Sequence, residues 1–279
     1  MSIFFTYNDK ILEEGTAVIT PDSRALRYGD GLFETIKTKN GIIQFPDYHF
    51  DRLFSGMKML QFKIPKYFTE NHLSKKITEL CKKNQHNSFA RVRLMIFRGN
   101  GGLYDAENNF PNYIIQTWKI DGATELNSNG LIIDVYPDAK KSCDKFANIK
   151  SNNFLPYAMA ALYAKELKVN DCVLLNNHER ICDTTIANIF IIKDNIIYTP
   201  PLNEGCIAGV RRRFLIEKFH ADFKILEKPI SVEELQNADE VFLTNSIKGI
   251  RWVKQFKQHQ YTNLMTKRIH EHFINECKL

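Results

Sequence analysis

The residues best suited to chemistry lie between positions 183 and 212 of this 279-residue chain. Asp183 opens the stretch, a tight turn follows at Asp194-Asn195, and Gly209-Val210-Arg211 comes after an extended loop. A helix that begins at this glycine presents backbone N–H groups without intrahelical partners, and its dipole favours an anion there. The spacing therefore indicates a site for a phosphate ester, although an ordinary loop-to-helix junction gives the same pattern.

A longer motif runs through the same stretch. Its members are Thr184, Asn188-Ile189-Phe190, Ile197, Thr199, Ile207, Gly209-Val210 and Arg212. The motif resembles the signature of the class IV, fold-type IV pyridoxal-phosphate enzymes, which include branched-chain and D-amino-acid aminotransferases and 4-amino-4-deoxychorismate lyase. Further landmarks follow in the family's order, namely Gly29–Glu34, His49–Leu53, Lys150–Pro156 and Phe242–Ser246. The resemblance therefore covers nearly the whole chain.

This resemblance implies an α+β, two-domain fold of fold type IV that binds pyridoxal 5'-phosphate. An N-terminal α/β sandwich would occupy residues 1–118, and a C-terminal β-rich pseudo-barrel domain that binds the cofactor would occupy residues 119–279. The active site is then expected between the domains, at a homodimer interface.

The resemblance also assigns the two basic residues of the cofactor site. Lys150 is the lysine that forms the Schiff base with the cofactor, and its freed amine then moves the proton during the reaction. Arg52 matches the phosphate-binding arginine, whose forked guanidinium suits two phosphate oxygens. The alternative for Arg52 is a helix-surface ion pair with Asp51 or Glu34.

Further cofactor contacts are expected from the second half of the chain. Val210 and Arg211 would give backbone N–H groups to the phosphate, and Ser246 its hydroxyl. Asp183 stands where the family usually has a glutamate that pairs with the protonated pyridine nitrogen. The aspartate has the same charge and one methylene less, so we expect the same role after a small shift of backbone or cofactor, or through a bridging water. A turn or cap aspartate is the alternative.

Two neighbouring positions bear on these assignments. Glu179 is the nearest rival carboxylate, but it falls in a polar turn and is expected to face solvent. Phe154 stands where branched-chain aminotransferases carry a tyrosine that contacts the ring hydroxyl. Because phenylalanine cannot make that hydrogen bond, the residue argues against a strict branched-chain enzyme.

The candidate substrate-binding residues are Phe33, Arg91, Arg93 and Arg98. Arg91 and Arg93 are two positions apart on a predicted strand, so they project from one face and could hold a carboxylate. Phe33 could form a wall of the pocket. Each arginine is equally consistent with an edge charge paired with Asp105 or Glu107.

The reaction stays open among three hypotheses. An aminotransferase is favoured, because it is the commoner activity among such sequences. The alternative is 4-amino-4-deoxychorismate lyase, which eliminates pyruvate, and the loops Arg98–Gly102 and Thr244–Ile250 resemble that enzyme's loops more closely. Against the lyase, its glycine loop usually continues Arg-Gly-Tyr where this chain has Leu103-Tyr104. The third hypothesis is a non-catalytic binding protein on the same scaffold.

The hydrophobic pattern predicts the elements that position these residues in the first half. Residues 31–38 alternate as a strand, Asn40-Gly41 is a hairpin turn, and residues 42–45 return. A helix is predicted from Pro46 on the stripe Phe50, Leu53, Phe54 and Met57, and a second near residues 69–83 on Leu73, Ile77, Leu80 and Cys81. A further strand is predicted at residues 89–97.

In the second half the pattern predicts mostly strands. These strands are 131–135, 172–175, 188–193, 196–199 and 240–244. Lys150 is expected where a strand gives way to a helix that carries Leu155, Met159 and Leu162. Ser231–Glu234 is a capping box that opens a short helix, and residues 262–277 form a terminal helix.

Composition sets the remaining limits. With 44% apolar and 25% charged residues, the chain matches a soluble globular protein. A net charge of +6 is mild for this length and gives little support to nucleic-acid binding. The six cysteines lack metal-ligand spacing, so no metal is expected. The chain start does not resemble a signal peptide and no apolar run suits a membrane span, so a reducing, cytoplasmic setting is expected.

Overall fold

The computed structural model describes residues 4–122 and 125–277. The described residues divide into two compact units. The first contains the described residues up to 122 together with Ile149–Asn153, and the second contains the remainder. Nothing in the sequence signalled that the short segment around Lys150 belongs to the first unit. The expected boundary after residue 118 stays a prediction.

The first unit is built on one antiparallel sheet. Its elements are β1 (Phe4–Tyr7), β2 (Lys10–Glu13), α1 (Arg24–Tyr28), β3 (Gly31–Lys39), β4 (Ile42–Ile43), α2 (Pro46–Met59), α3 (Glu70–Lys83), β5 (Phe89–Phe97) and β6 (Asn112–Lys119). The strand order is β2-β1-β6-β5-β3-β4, and every neighbouring pair is antiparallel. Apolar residues of α2 and α3 form one buried core with the sheet.

Local sequence explains the first-unit elements. Asn40 and Gly41 have φ values of 52° and 75°, as the predicted hairpin turn requires. Strand β4 ends at Ile43, earlier than expected, because Phe45 turns to a left-handed φ of 56° and Pro46 begins α2. The predicted apolar stripe of α3 is buried throughout, and the Thr69 hydroxyl caps its start. Strands β1, β2 and β6 were not anticipated.

The second unit is built on a larger, mixed sheet. Its elements are β7 (Leu131–Lys141), α4 (Leu155–Glu166), β8 (Asp171–Asn176), β9 (Ile181–Thr184), β10 (Asn188–Lys193), β11 (Ile196–Thr199), a 3₁₀ turn (Leu202–Glu204), α5 (Val210–Lys218), β12 (Ile225–Glu227), α6 (Val232–Gln236), β13 (Glu240–Asn245), β14 (Gly249–Phe256), β15 (His259–Gln260) and α7 (Leu264–Cys277). The strand order is β12-β11-β10-β13-β14-β7-β8-β9, and β15 pairs with β14. The pairs β7–β8, β7–β14 and β11–β12 are parallel.

This sheet curls into a half-barrel. Strand β9 forms one edge, yet a short turn joins it directly to β10, which lies near the other edge. The Thr184 N–H donates to the Ala187 carbonyl across that turn. Asp171 of β8 reinforces the corner by accepting from the Thr184 and Thr185 hydroxyls at 2.8 and 2.6 Å. The corner therefore fixes the end of β9, next to Asp183.

Two expectations for the second half are wrong. Strand β7 ends at Lys141, so Lys150 follows a turn-rich segment rather than a strand. On α4 the buried side chains are Tyr157, Ala160 and Ala164. The predicted stripe is exposed instead, with Leu155, Met159 and Leu162 exposed by 70%, 43% and 60%. Helix α4 is apolar on both sides, so its periodicity alone could not identify the inner face.

The other predicted strands and helices of the second half are present; β7 runs on from the expected end at Val135 to Lys141, and the remaining boundaries move by two residues at most. The capping box of Ser231 and Glu234 is complete, with both reciprocal hydrogen bonds formed. Helix α7 begins at Leu264, where the Glu240 carboxylate accepts from the N–H groups of Met265 and Thr266. Across residues 4–122 and 125–277, no helix combines the length and apolar character needed to cross a membrane.

Candidate active site

Strand β3 fixes the backbone around Lys150. The Phe33 N–H donates to the Lys150 carbonyl, and the Asn152 N–H donates to the Gly31 carbonyl, both at 2.9 Å. A Cβ on Gly31 would lie 2.3 Å from the Ile96 carbonyl oxygen of β5, so glycine is required where β3 and β5 approach each other closely. The lysine therefore lies on a short segment that pairs with β3 like an added strand.

The Phe33 side chain connects Lys150 with a candidate substrate-binding arginine. This ring is 5% exposed. The Lys150 Nζ lies 4.6 Å from its centroid, and the Arg93 Cζ lies 3.9 Å from it. Burial and the neighbouring Arg91 charge both lower the pKa of Arg93. Lys150 and Arg93 thus both contact the same aromatic ring, and their basic groups are suited to an anionic ligand.

The other candidate arginines differ in their surroundings. Arg91 is exposed and stacks on Trp118 at 5.2 Å, on the same strand face as Arg93. The Arg98 Nη1 donates to Asp30 at 2.5 Å, its Nε donates to Asn109 at 3.0 Å, and its Nη2 donates to the Leu60 carbonyl. Because all three of its nitrogens are engaged within the first unit, this geometry favours a structural role for Arg98.

Arg52 forms an ion pair with Glu34, which is the alternative that the sequence left open for it. Its Nε and Nη2 donate to the two carboxylate oxygens of Glu34 at 2.8 and 2.6 Å. The His49 Nδ1 lies 2.6 Å from the same carboxylate. Burial would raise the pKa of Glu34, but Arg52 and His49 lower it to about 2. Glu34 therefore stays ionised and holds the guanidinium in one orientation.

Asp183, on β9, lies in a buried polar cluster of the second unit. It is 2% exposed. The Lys141 Nζ lies 3.2 and 3.3 Å from its carboxylate oxygens, and the Tyr157 hydroxyl lies 3.0 and 3.2 Å from them. The Ile207 N–H donates to Oδ2 at 2.9 Å. The lysine amine, the tyrosine hydroxyl and a backbone N–H therefore all converge on this one buried carboxylate.

Hydrogen bonds on both sides of Ile207 hold the segment that precedes α5. Its Ile207 N–H reaches Asp183, and its Ile207 carbonyl accepts from the Asn188 Nδ2 at 2.9 Å. A Cβ on Gly209 would lie 1.7 Å from the Asn188 Oδ1, so any larger residue would displace the Asn188 amide that holds Ile207. The carboxylate and the start of α5 therefore belong to one connected frame.

Helix α5 begins at Val210 without a side-chain cap. Its first N–H groups are therefore suited to an anion. The Arg211 guanidinium donates to the Ser246 carbonyl at 3.1 Å and stacks on Phe273 at 4.7 Å, and burial lowers its pKa to about 10. This side chain joins the helix start to the turn after β13, which agrees with a backbone rather than a side-chain contact to phosphate.

Sequence reasoning placed Glu179 correctly and missed two other residues. Glu179 has a left-handed φ of 58° in a turn, and its side chain is 70% exposed and pairs with Lys140. Lys141 and Tyr157 were not identified. The one available signal was the position of Tyr157 one helical turn after Phe154, on which it stacks at 4.2 Å.

The residues present fit the expected cofactor. An uncapped helix start suits a phosphate ester, a buried carboxylate suits a protonated ring nitrogen, and a lysine amine suits an aldehyde. The aspartate and the helix start lie in the second unit, whereas Lys150 and Arg52 lie in the first.

Comparisons with known proteins agree with this chemistry. The family model described as "Amino-transferase class IV" matches residues 31–256. A putative branched-chain-amino-acid aminotransferase of Methanocaldococcus jannaschii is 27% identical over 241 residues, which are 86% of this chain and 83% of that protein. An aminodeoxychorismate lyase of Bacillus subtilis is 28% identical over 250 residues, which are 86% of this chain and 82% of that protein.

Among solved structures, the branched-chain aminotransferase of the thermophilic archaeon Thermoproteus uzoniensis superposes with a TM-score of 0.88. It is 22% identical, and the match covers 99% of this chain and 95% of that one. The likeness confirms the predicted α+β fold of fold type IV.

Proposed function

Because the chain belongs to the class IV aminotransferase family, we propose that it is a pyridoxal-phosphate-dependent aminotransferase that acts through Lys150. It would transfer an amino group between an amino acid and a 2-oxo acid. The observation that carries this proposal is the connected frame of Asp183, Ile207 and Gly209, which joins a buried carboxylate to an uncapped helix start. Such a frame suits a ligand with a cationic ring at one end and a phosphate at the other.

Each cofactor-binding residue has a role in this proposal. The N–H groups of Val210 and Arg211, the Ser246 hydroxyl and the Arg52 guanidinium would hold the phosphate. Asp183 would hold a proton on the ring nitrogen. The cofactor, when bound, supplies the electron sink that stabilises negative charge on the substrate.

The first unit would supply the reacting amine and the substrate contacts. Lys150 would carry the proton to and from the reacting carbon, and its place beside Phe33 limits the directions its amine can take. Arg93, with Arg91 on the same face, would hold a substrate carboxylate. Because its nitrogens are engaged, we propose that Arg98 supports this region, and its contact with substrate stays a prediction.

A homodimer in the cytoplasm is part of the proposal. The exposed apolar stripe of Leu155, Met159 and Leu162 on α4 supports an assembled state, because a surface helix of a monomer normally places polar residues there. The partner would be a second copy of this chain.

The second candidate function is 4-amino-4-deoxychorismate lyase. The Bacillus subtilis relative and the two loops Arg98–Gly102 and Thr244–Ile250 support it. A non-catalytic binding protein is the third candidate, and it requires that Lys150 carry no cofactor.

The deciding test begins with borohydride reduction of the purified protein loaded with pyridoxal phosphate, followed by peptide mapping. We expect the loaded protein to be yellow before reduction, to lose the colour on reduction and then to carry the label on Lys150, because a Schiff base to this lysine is coloured and its reduced form is stable. Lys150→Ala should lose both label and turnover, whereas Lys145→Ala, an exposed lysine nearby, should keep both. If Lys150→Ala still turned over substrate, Lys150 would have no part in the mechanism, even if the wild type carried the label there.

A titration with substrates then separates the candidates. L- and D-amino acids are added to the loaded protein, followed by 2-oxo acids and, separately, aminodeoxychorismate. Conversion of the cofactor to its amine form, reversed by a 2-oxo acid, supports the aminotransferase. Release of pyruvate without that conversion would establish the lyase instead.

A further inference from the structure

Lys141 is a buried lysine that has no role in the proposed reaction as described above. It is the last residue of β7, and its side chain is 8% exposed. Its Nζ lies 3.2 Å from Asp183, whose side chain is 3% exposed. Taking both charges out of water costs several kcal/mol per ion, so such a pair persists only with good geometry and additional hydrogen bonds.

Tyr157 supplies one of these additional bonds from α4. Its hydroxyl lies 3.0 Å from the Asp183 Oδ2 and contacts the Lys141 Nζ. Burial and the adjacent Asp183 charge raise the pKa of Tyr157 well above its ordinary value. The phenol therefore stays protonated and donates to the carboxylate. Stacking on Phe154 keeps the ring in place.

The other titratable neighbours of Asp183 are neutral thiols. Cys182 precedes it on β9, and Cys206 lies just before Ile207. Burial raises the pKa of both, to about 11 for Cys206. The charge that faces Asp183 thus comes from Lys141.

We propose that Lys141 and Tyr157 are positioning residues that make Asp183 a partly neutralised anion toward the cofactor's ring nitrogen. The inference rests on the proposed function. A cation that shares a carboxylate reduces the negative potential available to a second cation. The ring nitrogen therefore binds its proton less tightly than it would beside a lone carboxylate, and the electron sink is weaker.

The test uses the full chain loaded with pyridoxal phosphate that carries ¹⁵N in the ring. The ring-nitrogen chemical shift is followed against pH by NMR, and its midpoint is compared between the wild type and Lys141→Met. Methionine keeps the length and removes the charge, so we expect the midpoint to rise by about one pH unit, which is a tenfold change in proton affinity. Lys141→Arg should restore the wild-type midpoint.

Two further variants test whether a change in the midpoint comes from the contacts of Asp183. Lys140→Met is the matched control, because the adjacent Lys140 pairs with the exposed Glu179, and its midpoint should equal that of the wild type. Tyr157→Phe keeps the stacked ring and removes one donor, so its midpoint should rise by less than that of Lys141→Met. This variant also serves if Lys141→Met does not fold.

The outcomes separate this inference from the function on which it rests. Equal midpoints in the wild type, Lys141→Met and Tyr157→Phe would overturn the inference and leave the proposed function standing. A purely structural role for the pair would lower stability or cofactor occupancy without moving the midpoint, and would likewise overturn it. A wild-type chain that takes up no labelled cofactor would refute both.

Discussion

At the scale of single residues, Glu34 shows how a buried carboxylate can orient a functional side chain. Its two oxygens accept from Arg52, and one also lies 2.6 Å from the His49 ring nitrogen. The pKa of Glu34 falls from an ordinary 4.5 to about 2, so its ionised form is favoured by folding. Stability from this group is therefore fully present above pH 4.5 and is lost as the pH falls toward 2.

Glu34→Gln is expected to lower the free energy of unfolding by about 3 kcal/mol at neutral pH, because it removes the charge of a buried carboxylate that pairs with the half-buried Arg52 guanidinium. Urea unfolding at neutral and acidic pH measures this. The variant should also lose less stability than the wild type on acidification. Glu79→Gln, which breaks the more exposed pair with Lys76, is the matched control and should change stability by less than about 1 kcal/mol. Equal losses in the two variants would contradict the role given to Glu34.

Both Asp183 and Asp30 lie in stretches that resemble the family's motifs, but the sequence did not indicate that Asp30 holds Arg98. Lys141 and Tyr157 stayed hidden for a physical reason. Their contacts with Asp183 span 42 and 26 positions along the chain, and periodicity reports only neighbours on the same element.

At the scale of elements, the start of α5 depends on a steric fit rather than on backbone strain. Gly209 has an ordinary φ of −66°, yet a Cβ there would overlap the Asn188 amide oxygen at 1.7 Å. A larger residue at position 209 would therefore push the Asn188 amide away from the helix start, and with it the contact that positions the segment before the first N–H groups of the helix.

Gly209→Ala is expected to destabilise the protein by about 1–3 kcal/mol, the usual cost of overpacking a tight site. It should also weaken binding of pyridoxal phosphate, because the helix start must move. Fluorescence titration of the apoprotein measures the affinity. The double variant Asn188→Ala/Gly209→Ala removes the clash and should recover part of the stability. If Gly209→Ala binds the cofactor as the wild type does, the helix start is not its phosphate site.

Elements with a one-sided apolar pattern were predictable, and others were not. The stripe of α3 and the turn Asn40-Gly41 follow from local chemistry, so they were found. Helix α4 is apolar on both faces, and its inner face is decided by packing on the sheet. The short strands β1 and β2 have few residues each, and the pairing of β1 with β6 is long-range.

At the scale of the whole molecule, the exposed apolar face of α4 is where we expect two copies of the chain to meet. Leu155 and Leu162 are exposed by 70% and 60% although the helix belongs to a well-packed unit. A homodimer that covers this face would remove the apolar surface from water.

Leu155→Lys/Leu162→Lys is expected to shift the protein from dimer to monomer, because charges in the centre of an apolar interface are costly to bury. Light scattering after size-exclusion chromatography measures the mass. Ile42→Lys, at a residue exposed by 67% in the first unit's hairpin, is the control and should leave the mass unchanged. A wild-type chain that is monomeric at high concentration would contradict the proposed assembly.

The contacts around Asp183 also limit which substitutions this position accepts. Its carboxylate meets Lys141, Tyr157 and the Ile207 N–H at once, and the Ile207 segment leads directly into α5. A longer glutamate would displace that segment together with the helix start. We therefore expect glutamate at position 183 to fit this chain only together with changes in the residues that contact the carboxylate.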